Sequence, residues 1–129
     1  MTETKNIKSA NGVADKNYTI DAAGKSLGRI ATEAAKALMG KMRADYTPNK
    51  DSGVTVTISN VSKLRIRDRK AQTKVYQNYS GYPGGQRKET MKNLNARKGN
   101  SAALKIAITR MLPRNTMRVS RLKNLTMTN

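Results

Sequence analysis

The sequence predicts an α/β layered domain with about four short strands and with helices on the faces of the sheet. Segments in which apolar and polar residues alternate, as in half-buried strands, occur in turn with segments whose apolar residues recur at helical spacing. The chain has 129 residues, a length that fits one domain with a single modest core. Two independent domains would not fit.

The first two predicted elements are a strand and a helix of the kind that packs on a sheet. Residues 18–22 alternate apolar and polar side chains, and the turn after them places Ser26 where it can cap a helix. Residues 27–38 form the predicted helix, which Gly40 ends. Its apolar stripe consists of Leu27, Ile30, Ala31, Ala34, Ala35 and Leu38.

Two further strands are predicted after a loop at residues 41–53. Residues 54–58 alternate with period two and carry their branched apolar side chains on one face. Residues 63–67 alternate in the same way, with Leu64 and Ile66 toward the core. The outward positions would then form a basic row, which also suits a solubilising edge strand: Lys63, Arg65 and Arg67.

The second half of the chain predicts two more helices and a final strand. A short helix is expected over residues 89–94, and residues 97–100 separate it from a longer helix over residues 101–112, which Pro113 stops. Residues 114–125 interleave cations with apolar side chains, so we expect a last helical turn and a strand there.

The segment of residues 70–87 combines cations, aromatic rings and glycines. It holds three of the five tyrosines and three of the nine glycines of the chain. Lys and Arg bind phosphates, Tyr rings stack on unpaired bases, and glycine lets a backbone approach closely. The pattern is typical of a nucleic-acid-binding segment, although a solvated hairpin whose tyrosines cap a small core would show it too.

The charge of the chain is strongly positive and unevenly distributed. Lys and Arg number 26 against 8 Asp and Glu, which gives a formal net charge of +18. Residues 1–61 hold nine basic and six acidic residues, whereas residues 62–129 hold 17 and two. A nucleic acid is the polyanion that best fits this excess. We expect no membrane partner, because no long apolar run or large basic amphipathic helix is present.

The residue types present leave little room for catalysis. The chain has neither Cys nor His, which excludes disulfides, zinc sites of the Cys/His kind and imidazole catalysis. We therefore expect no metal and no cofactor. The acids form no paired constellation, and Asp21 is expected to fix the turn after the first strand. Gly24–Lys25–Ser26 invites a P-loop interpretation, but Thr19 stands where that loop needs its first glycine.

A weaker version of the phosphate hypothesis remains open at the start of the predicted helix. The first amides of that helix, together with Lys25 and Arg29, could hold one backbone phosphate of a larger ligand. A plain capped helix start explains the same residues. Residues 1–16 are polar and mixed in charge, so we expect a flexible, weakly basic arm before a single domain at residues 17–129.

Many short motifs occur in one order over residues 17–127. These motifs are Tyr18-Thr19-Ile20-Asp21-Ala22, Leu27-Gly28-Arg29-Ile30-Ala31, Gly40-Lys41, Tyr46-Thr47-Pro48, Asn60, Lys63, Lys74-Val75-Tyr76, Ser80-Gly81-Tyr82-Pro83-Gly84-Gly85 and Met111-Leu112-Pro113-Arg114-Asn115. Together they resemble the L-thirteen family of large-subunit ribosomal proteins in its bacterial form. The chain departs from the family pattern at several turn or surface positions, and Arg110 and Arg118 replace residues that are usually glycine.

The resemblance implies a three-layer α/β/α domain around a small, mainly parallel sheet. It also implies a structural role in which the protein binds large-subunit ribosomal RNA and supports early assembly of that subunit. The implied partners are this RNA and neighbouring large-subunit proteins, in a bacterial cytoplasm, and no homo-oligomer is expected.

Three groups of residues are predicted to contact the RNA. The first group lies in or directly beside residues 70–87, which we call the Gly/Tyr segment. Its cations are Arg69, Lys70, Lys74, Arg87 and Lys88. Its two tyrosines, Tyr79 and Tyr82, could either stack on bases or pack in the core. The second lies in the C-terminal part: Arg110, Arg114, Asn115, Arg118, Arg121 and Lys123. The third is a smaller patch formed by Lys41 and Arg43.

Two other functions compete with this prediction. The charge alone would suit a protein that binds DNA or messenger RNA, although no helix-turn-helix, zinc finger or RNP motif is present. An enzyme would have to rely on Asp, Glu, Lys, Tyr or Ser. Equal affinity for unrelated duplex DNA would favour the first alternative, and turnover of a nucleotide would favour the second.

Overall fold

The structure is a computed structural model and describes residues 16–129. The predicted arm at residues 1–16 therefore lies almost wholly outside the described residues. The strands within the described range are β1 (Asn17–Asp21), β2 (Thr55–Ser59), β3 (Val75–Tyr79), β4 (Gln86–Thr90) and β5 (Leu125–Met127). The α-helices are α1 (Leu27–Met39), α2 (Asp68–Thr73), α3 (Met91–Lys98), α4 (Asn100–Met111) and α5 (Met117–Lys123).

The predicted fold class, mixed α/β with a small and mainly parallel sheet, is confirmed. Strands β1, β2 and β5 form one parallel sheet with β2 in the centre. Strands β3 and β4 form a separate antiparallel hairpin. The sheet thus has three strands within the described residues, compared with about four predicted, and the last of them comes from the C-terminal part of the chain.

Helix α1 packs against β1 and β2 on one side and against α4 on another. Its buried stripe is the predicted one extended by Ala37, and the side chains that meet it from the sheet include Ile20, Val56 and Ile58. These strand residues point to one face because side chains alternate along a strand and because paired parallel residues share a face. Helices α3 and α4 complete the core through Met91, Leu94, Ala103, Leu104 and Ile108.

The strand predicted at residues 63–67 is wrong. Asn60 adopts a left-handed conformation with φ of 56°, and a 3₁₀ turn, Val61–Lys63, follows directly. A single bridge between Ser26 and Arg65 remains, because α2 begins soon afterwards and leaves no room for a ladder. The inward direction was predicted correctly for Leu64, which is buried.

The helix predicted at residues 89–94 is displaced toward the C-terminus. Glu89 belongs to β4, and α3 begins at Met91 because the Thr90 hydroxyl accepts a hydrogen bond from the Asn93 amide at 3.4 Å. Ser26 occupies the N-cap position of α1, as predicted, but its side chain makes no capping hydrogen bond, and only its backbone carbonyl accepts hydrogen bonds from the helix amides.

Asp21 fixes the turn after β1, as predicted. Its Oδ1 accepts hydrogen bonds from the Ala23 amide at 3.1 Å and from the Asn60 side chain at 2.9 Å. The hydrogen bond from Asn60 is the main reason why the pKa of Asp21 lies below the usual value of 3.8. The carboxylate thereby ties the end of β1 to the end of β2.

No helix in residues 16–129 combines the length and the apolar character that a membrane crossing requires.

Two glycines allow a direct test of how close packing adds to backbone strain. Gly40 and Gly53 both have positive φ, of 80° and 62°, but a Cβ on Gly40 would lie 2.6 Å from Ser52 Cβ, whereas a Cβ on Gly53 would meet no described atom within 4 Å. We expect Gly53→Ala to cost about 1 kcal/mol of unfolding free energy and Gly40→Ala about 2–3 kcal/mol. Urea denaturation measures both, and equal costs would contradict the predicted clash.

Candidate nucleic-acid interface

The hairpin of β3 and β4 presents the central part of the Gly/Tyr segment. The loop at residues 80–85 turns through Gly81 and Gly84, which have φ of 89° and 72°. A Cβ on Gly85 would lie 2.9 Å from the Tyr82 carbonyl oxygen and would also collide with the Ser80 side chain. The glycines of this segment therefore serve the shape of the loop itself.

The register of the hairpin divides its side chains between two faces. Gln77 pairs with Lys88 and Tyr79 pairs with Gln86, so these four side chains, together with Val75, share one face. We call this the open face, because all five residues are exposed. The predicted cations Lys88 and Arg87 lie on opposite faces, since Arg87 pairs with Asn78.

The opposite face of the hairpin is held by two contacts to the helices. The Arg110 guanidinium of α4 lies over the Tyr76 ring, with its Cζ 5.6 Å from the ring centroid. Arg97 of α3 donates two hydrogen bonds to the Glu89 carboxylate, at 3.2 and 2.8 Å. Burial of the Tyr76 phenol raises its pKa, although the positive charge of Arg110 acts in the other direction. These contacts fix the base of the hairpin against the domain.

Tyr79 and Tyr82 do not pack in the core. Their exposed fractions are 64% and 76%, whereas Tyr76 is half-buried. Exposed rings on a fixed hairpin are available for stacking on unpaired bases, at low cost in side-chain entropy. The structure thus separates the three tyrosines of this segment into one anchor and two free rings.

The remaining cations of the first predicted group lie beside the base of the hairpin. Arg69 and Lys70 are exposed on α2, and α2 packs against β4. Lys74 is also exposed, and its backbone carbonyl accepts a hydrogen bond from the Met91 amide at 2.8 Å. Helix α2 therefore places its basic residues next to the strands that carry the free tyrosines.

The C-terminal group is only partly on the surface. Arg114, Asn115 and Lys123 are exposed and Arg118 is half-buried. Arg121 is 2% exposed, with its Nη2 4.0 Å from Met117 Sδ and its Nε without a partner among the described residues. Arg121 therefore does not join the exposed surface, and Arg110 contacts Tyr76 instead of lying free.

The third predicted patch is partly neutralised within the chain. Arg43 donates two hydrogen bonds to Asp45, at 2.9 and 2.8 Å, and these bonds lower the pKa of Asp45. Lys41 lies over the Tyr46 ring, with its Nζ 6.0 Å from the centroid. This patch has less free charge than its composition suggested.

The sequence interpretation missed Gln77 and Gln86. Both lie on the open face and offer hydrogen-bond donors and acceptors beside Tyr79 and Lys88. Strand alternation combined with the register of a tight hairpin would have found them. Within residues 16–129, no group of three or more His, Cys, Asp or Glu side chains could hold a metal ion.

The arrangement suits a large anion better than a small one. The ion pairs found in the described part of the chain are Lys25–Glu33, Arg43–Asp45 and Arg97–Glu89, so most exposed cations there have no acidic partner. Free rings, amide side chains and unpaired cations lie on one protruding element and on the helix beside it. Such a surface can bind a polyanion whose bases are accessible.

Comparison with known proteins gives one consistent family. The family model described as Ribosomal protein L13 matches residues 15–127. A large ribosomal subunit protein uL13 of Borrelia hermsii (strain HS1 / DAH) is 46% identical over 113 residues, which cover 88% of this chain and 75% of the relative. The uL13 protein of Borrelia turicatae (strain 91E135) is 46% identical over 126 residues, covering 97% and 84%. The uL13 protein of Tolumonas auensis (strain DSM 9187 / NBRC 110442 / TA 4) is 41% identical over 108 residues, covering 84% and 75%.

The Glu89–Arg97 contact predicts how stability depends on pH. Hydrogen bonds from Arg97 hold the pKa of Glu89 below its usual value of 4.5, so the ionised form stabilises the fold. This contribution is present above about pH 4.5 and is lost as the pH falls through the lowered pKa. We expect Glu89→Gln to reduce the Tm at pH 7. In acid, this gap in Tm between the variant and the original chain should close.

Thermal denaturation between pH 3 and pH 7 measures this gap. Glu33→Gln is the control, because Glu33 approaches Lys25 only to 3.9 Å between exposed side chains and should change the Tm little. A gap for Glu89→Gln that stays constant with pH would contradict the assigned contact.

Proposed function

The chain belongs to the ribosomal protein L13 family, and we propose that it binds the ribosomal RNA of the large subunit and supports early assembly of that subunit. As a member of this family it is a structural protein of the ribosome and not an enzyme. The finer proposal concerns its ligand and the surface that binds it.

The open face of the hairpin carries the proposal. Tyr79, Lys88 and two glutamines lie together on one face of the hairpin, and all four side chains are exposed. The ring can stack on an unpaired base while the ammonium meets a phosphate, and the amides can read the edges of bases. An unpaired or bulged stretch of a folded RNA offers all of these groups at once, whereas a regular duplex keeps its bases stacked inside.

The charge of the chain supports the proposed role in assembly. Folding a compact RNA brings phosphates close together at its junctions, and their repulsion opposes compaction. A rigid domain with a formal charge of +18 and with cations on more than one surface lowers this repulsion. Neighbouring large-subunit proteins are proposed partners in the assembled particle.

Stacking and charge on the open face can be separated by two substitutions. We expect Tyr79→Ala to weaken binding to large-subunit ribosomal RNA by about 1–3 kcal/mol without changing the salt dependence, because a ring is lost but no ion pair. Lys88→Ala should reduce the slope of log K against log salt by about 1. Filter binding at several salt concentrations measures both quantities.

The controls for this pair use matched changes. Tyr79→Trp keeps a stacking ring and should retain affinity. Lys105→Ala removes an exposed cation of α4 outside the predicted set and should leave both affinity and slope nearly unchanged. Equal losses for Lys88→Ala and Lys105→Ala, or equal affinity of the original chain for unrelated duplex DNA, would reject this use of the hairpin and favour general nucleic-acid binding.

The C-terminal cations are expected to differ in what they contribute. Arg114→Ala combined with Arg118→Ala should reduce affinity for the RNA and the salt slope while leaving the Tm nearly unchanged, because both side chains reach the surface. Arg121→Ala should instead lower the Tm, because its side chain is packed among buried groups. Calorimetry together with RNA binding compares the variants, and unfolding of the double variant would show that Arg114 and Arg118 are structural.

A further inference from the structure

The guanidinium of Arg121 is buried without a good hydrogen-bond acceptor. The residue is 2% exposed, its Nε has no partner among the described residues, and its Nη2 lies 4.0 Å from the Met117 Sδ. The ion pairs found within residues 16–129 do not include it. Because an arginine side chain is always charged and carries only donors, burial of its guanidinium without an acceptor costs free energy.

The thioether of Met117 faces this guanidinium but satisfies it poorly. A thioether sulfur is a weak acceptor, and a separation of 4.0 Å is long for a hydrogen bond to sulfur. Met117 and Arg121 are four residues apart on α5, so their side chains are neighbours on the same side of the helix. The helix therefore places an oxidisable atom beside a donor that needs an acceptor.

Oxidation of the sulfur would supply the missing acceptor. A sulfoxide is polar, and its oxygen can accept a hydrogen bond with an N···O distance of about 2.7–3.2 Å. The S–O bond spans the difference between this range and the 4.0 Å that separate Nη2 from Sδ. A sulfoxide is also chiral, so one of its two epimers directs the oxygen toward Arg121.

The surroundings of Met117 differ from those of two other methionines. Met117 is half-buried and thus partly open to a small oxidant. Met91 has no exposed surface and lies in the core, where a polar oxygen would disrupt packing. Met111 is exposed and accepts a hydrogen bond from the Thr32 hydroxyl at 3.5 Å, but that hydroxyl already has the Gly28 carbonyl as an acceptor at 3.0 Å. Among these three residues, an added oxygen meets an unsatisfied donor at Met117.

We propose that Met117 is a site of reversible oxidation by peroxide, and that its sulfoxide accepts a hydrogen bond from the buried Arg121 guanidinium. The sulfur lone pair attacks one oxygen of hydrogen peroxide, and the O–O bond breaks. The sulfur loses two electrons and gains that oxygen, while the second oxygen takes up the proton of the first and leaves as water. Two thiols of a sulfoxide reductase reverse the change and form a disulfide and water.

The consequence for the fold is a more stable position of α5. This helix has seven residues and packs against α1 and β5, and Ser120 Oγ donates a hydrogen bond to Asp51 Oδ2 at 2.7 Å. Arg121 is buried in this packed position, so an acceptor for its guanidinium stabilises the position. Oxidation of Met117 would thus strengthen the fold, whereas oxidation of a core methionine weakens it. The inference does not depend on RNA binding.

Glutamine tests the interaction without an oxidant. Its side chain resembles that of methionine in length and helix propensity, and its amide oxygen takes the place of the sulfoxide oxygen. We expect Met117→Gln to raise the Tm of the full chain by a few degrees, because a buried charged donor gains an acceptor. In a chain that also carries Arg121→Met, the same substitution should give no rise. Met111→Gln is the control and should change the Tm little, because Thr32 already has an acceptor.

Hydrogen peroxide tests the modification itself. The folded full chain and its Met117→Leu variant are treated alike, and mass spectrometry of their peptides locates the sulfoxides. Met42 and Met111 are exposed in both chains, so the difference between the two changes in Tm reports the oxidation of Met117. We expect a sulfoxide at Met117 and a change in Tm that is more favourable by a few degrees in the original chain. A sulfoxide reductase with a thiol should restore the original Tm.

Three outcomes would overturn the inference. If Met117 stays unoxidised while Met42 and Met111 become sulfoxides, the site is closed to peroxide. If oxidation lowers the Tm of the original chain more than that of Met117→Leu, the added oxygen disrupts the packing of α5. If Met117→Gln gives no rise in Tm, or an equal rise with and without Arg121, the guanidinium does not use the new acceptor.

Discussion

The packing of α1 on the parallel sheet is the constraint on which the rest of the structure depends. The chain has no Phe or Trp, and the buried stripe of α1 contains four alanines in addition to Leu27, Ile30 and Leu38. A buried alanine removes little apolar area from water, so it stabilises the fold less than a buried Leu or Ile, which contributes roughly 1.5–3 kcal/mol. What the small residues provide is a close approach that lets α1 contact both the sheet and α4. A thin core thereby supports a large polar surface.

Repulsion among the positive charges opposes the compaction of this core. The eight carboxylates cannot neutralise 26 cations, and two of those within the described residues hold elements of the fold together. Asp21 joins the ends of two strands, and Glu89 ties the hairpin to α3. The remaining cations repel one another in the free protein, and a polyanion that binds them also relieves that repulsion. Stability and ligand binding are thus coupled through the same side chains.

The sequence predicted the elements whose signal is local. The stripe from Leu27 to Leu38 with Gly40 after it defined α1, and the alternation in residues 54–58 defined β2 nearly to the residue. The strand prediction failed at residues 63–67, because alternation shows which side chains face inward but not whether a neighbouring strand is available to pair with. The burial of Arg121 depends on how α5 is placed on the domain, which no local pattern records. The separation of Arg87 from Lys88 likewise required the register of the hairpin.

The order of strands in the parallel sheet also bears on how the protein is made. The central strand β2 has β1 on one side and β5 on the other, and β5 is far along the chain from both. During synthesis β1, α1 and β2 emerge first, and one side of β2 remains unpaired until β5 has been made. Over that interval the most basic half of the chain is being added to a domain that cannot yet close. Folding of this protein on the ribosome is therefore expected to finish late, after most of its positive charge has left the exit tunnel.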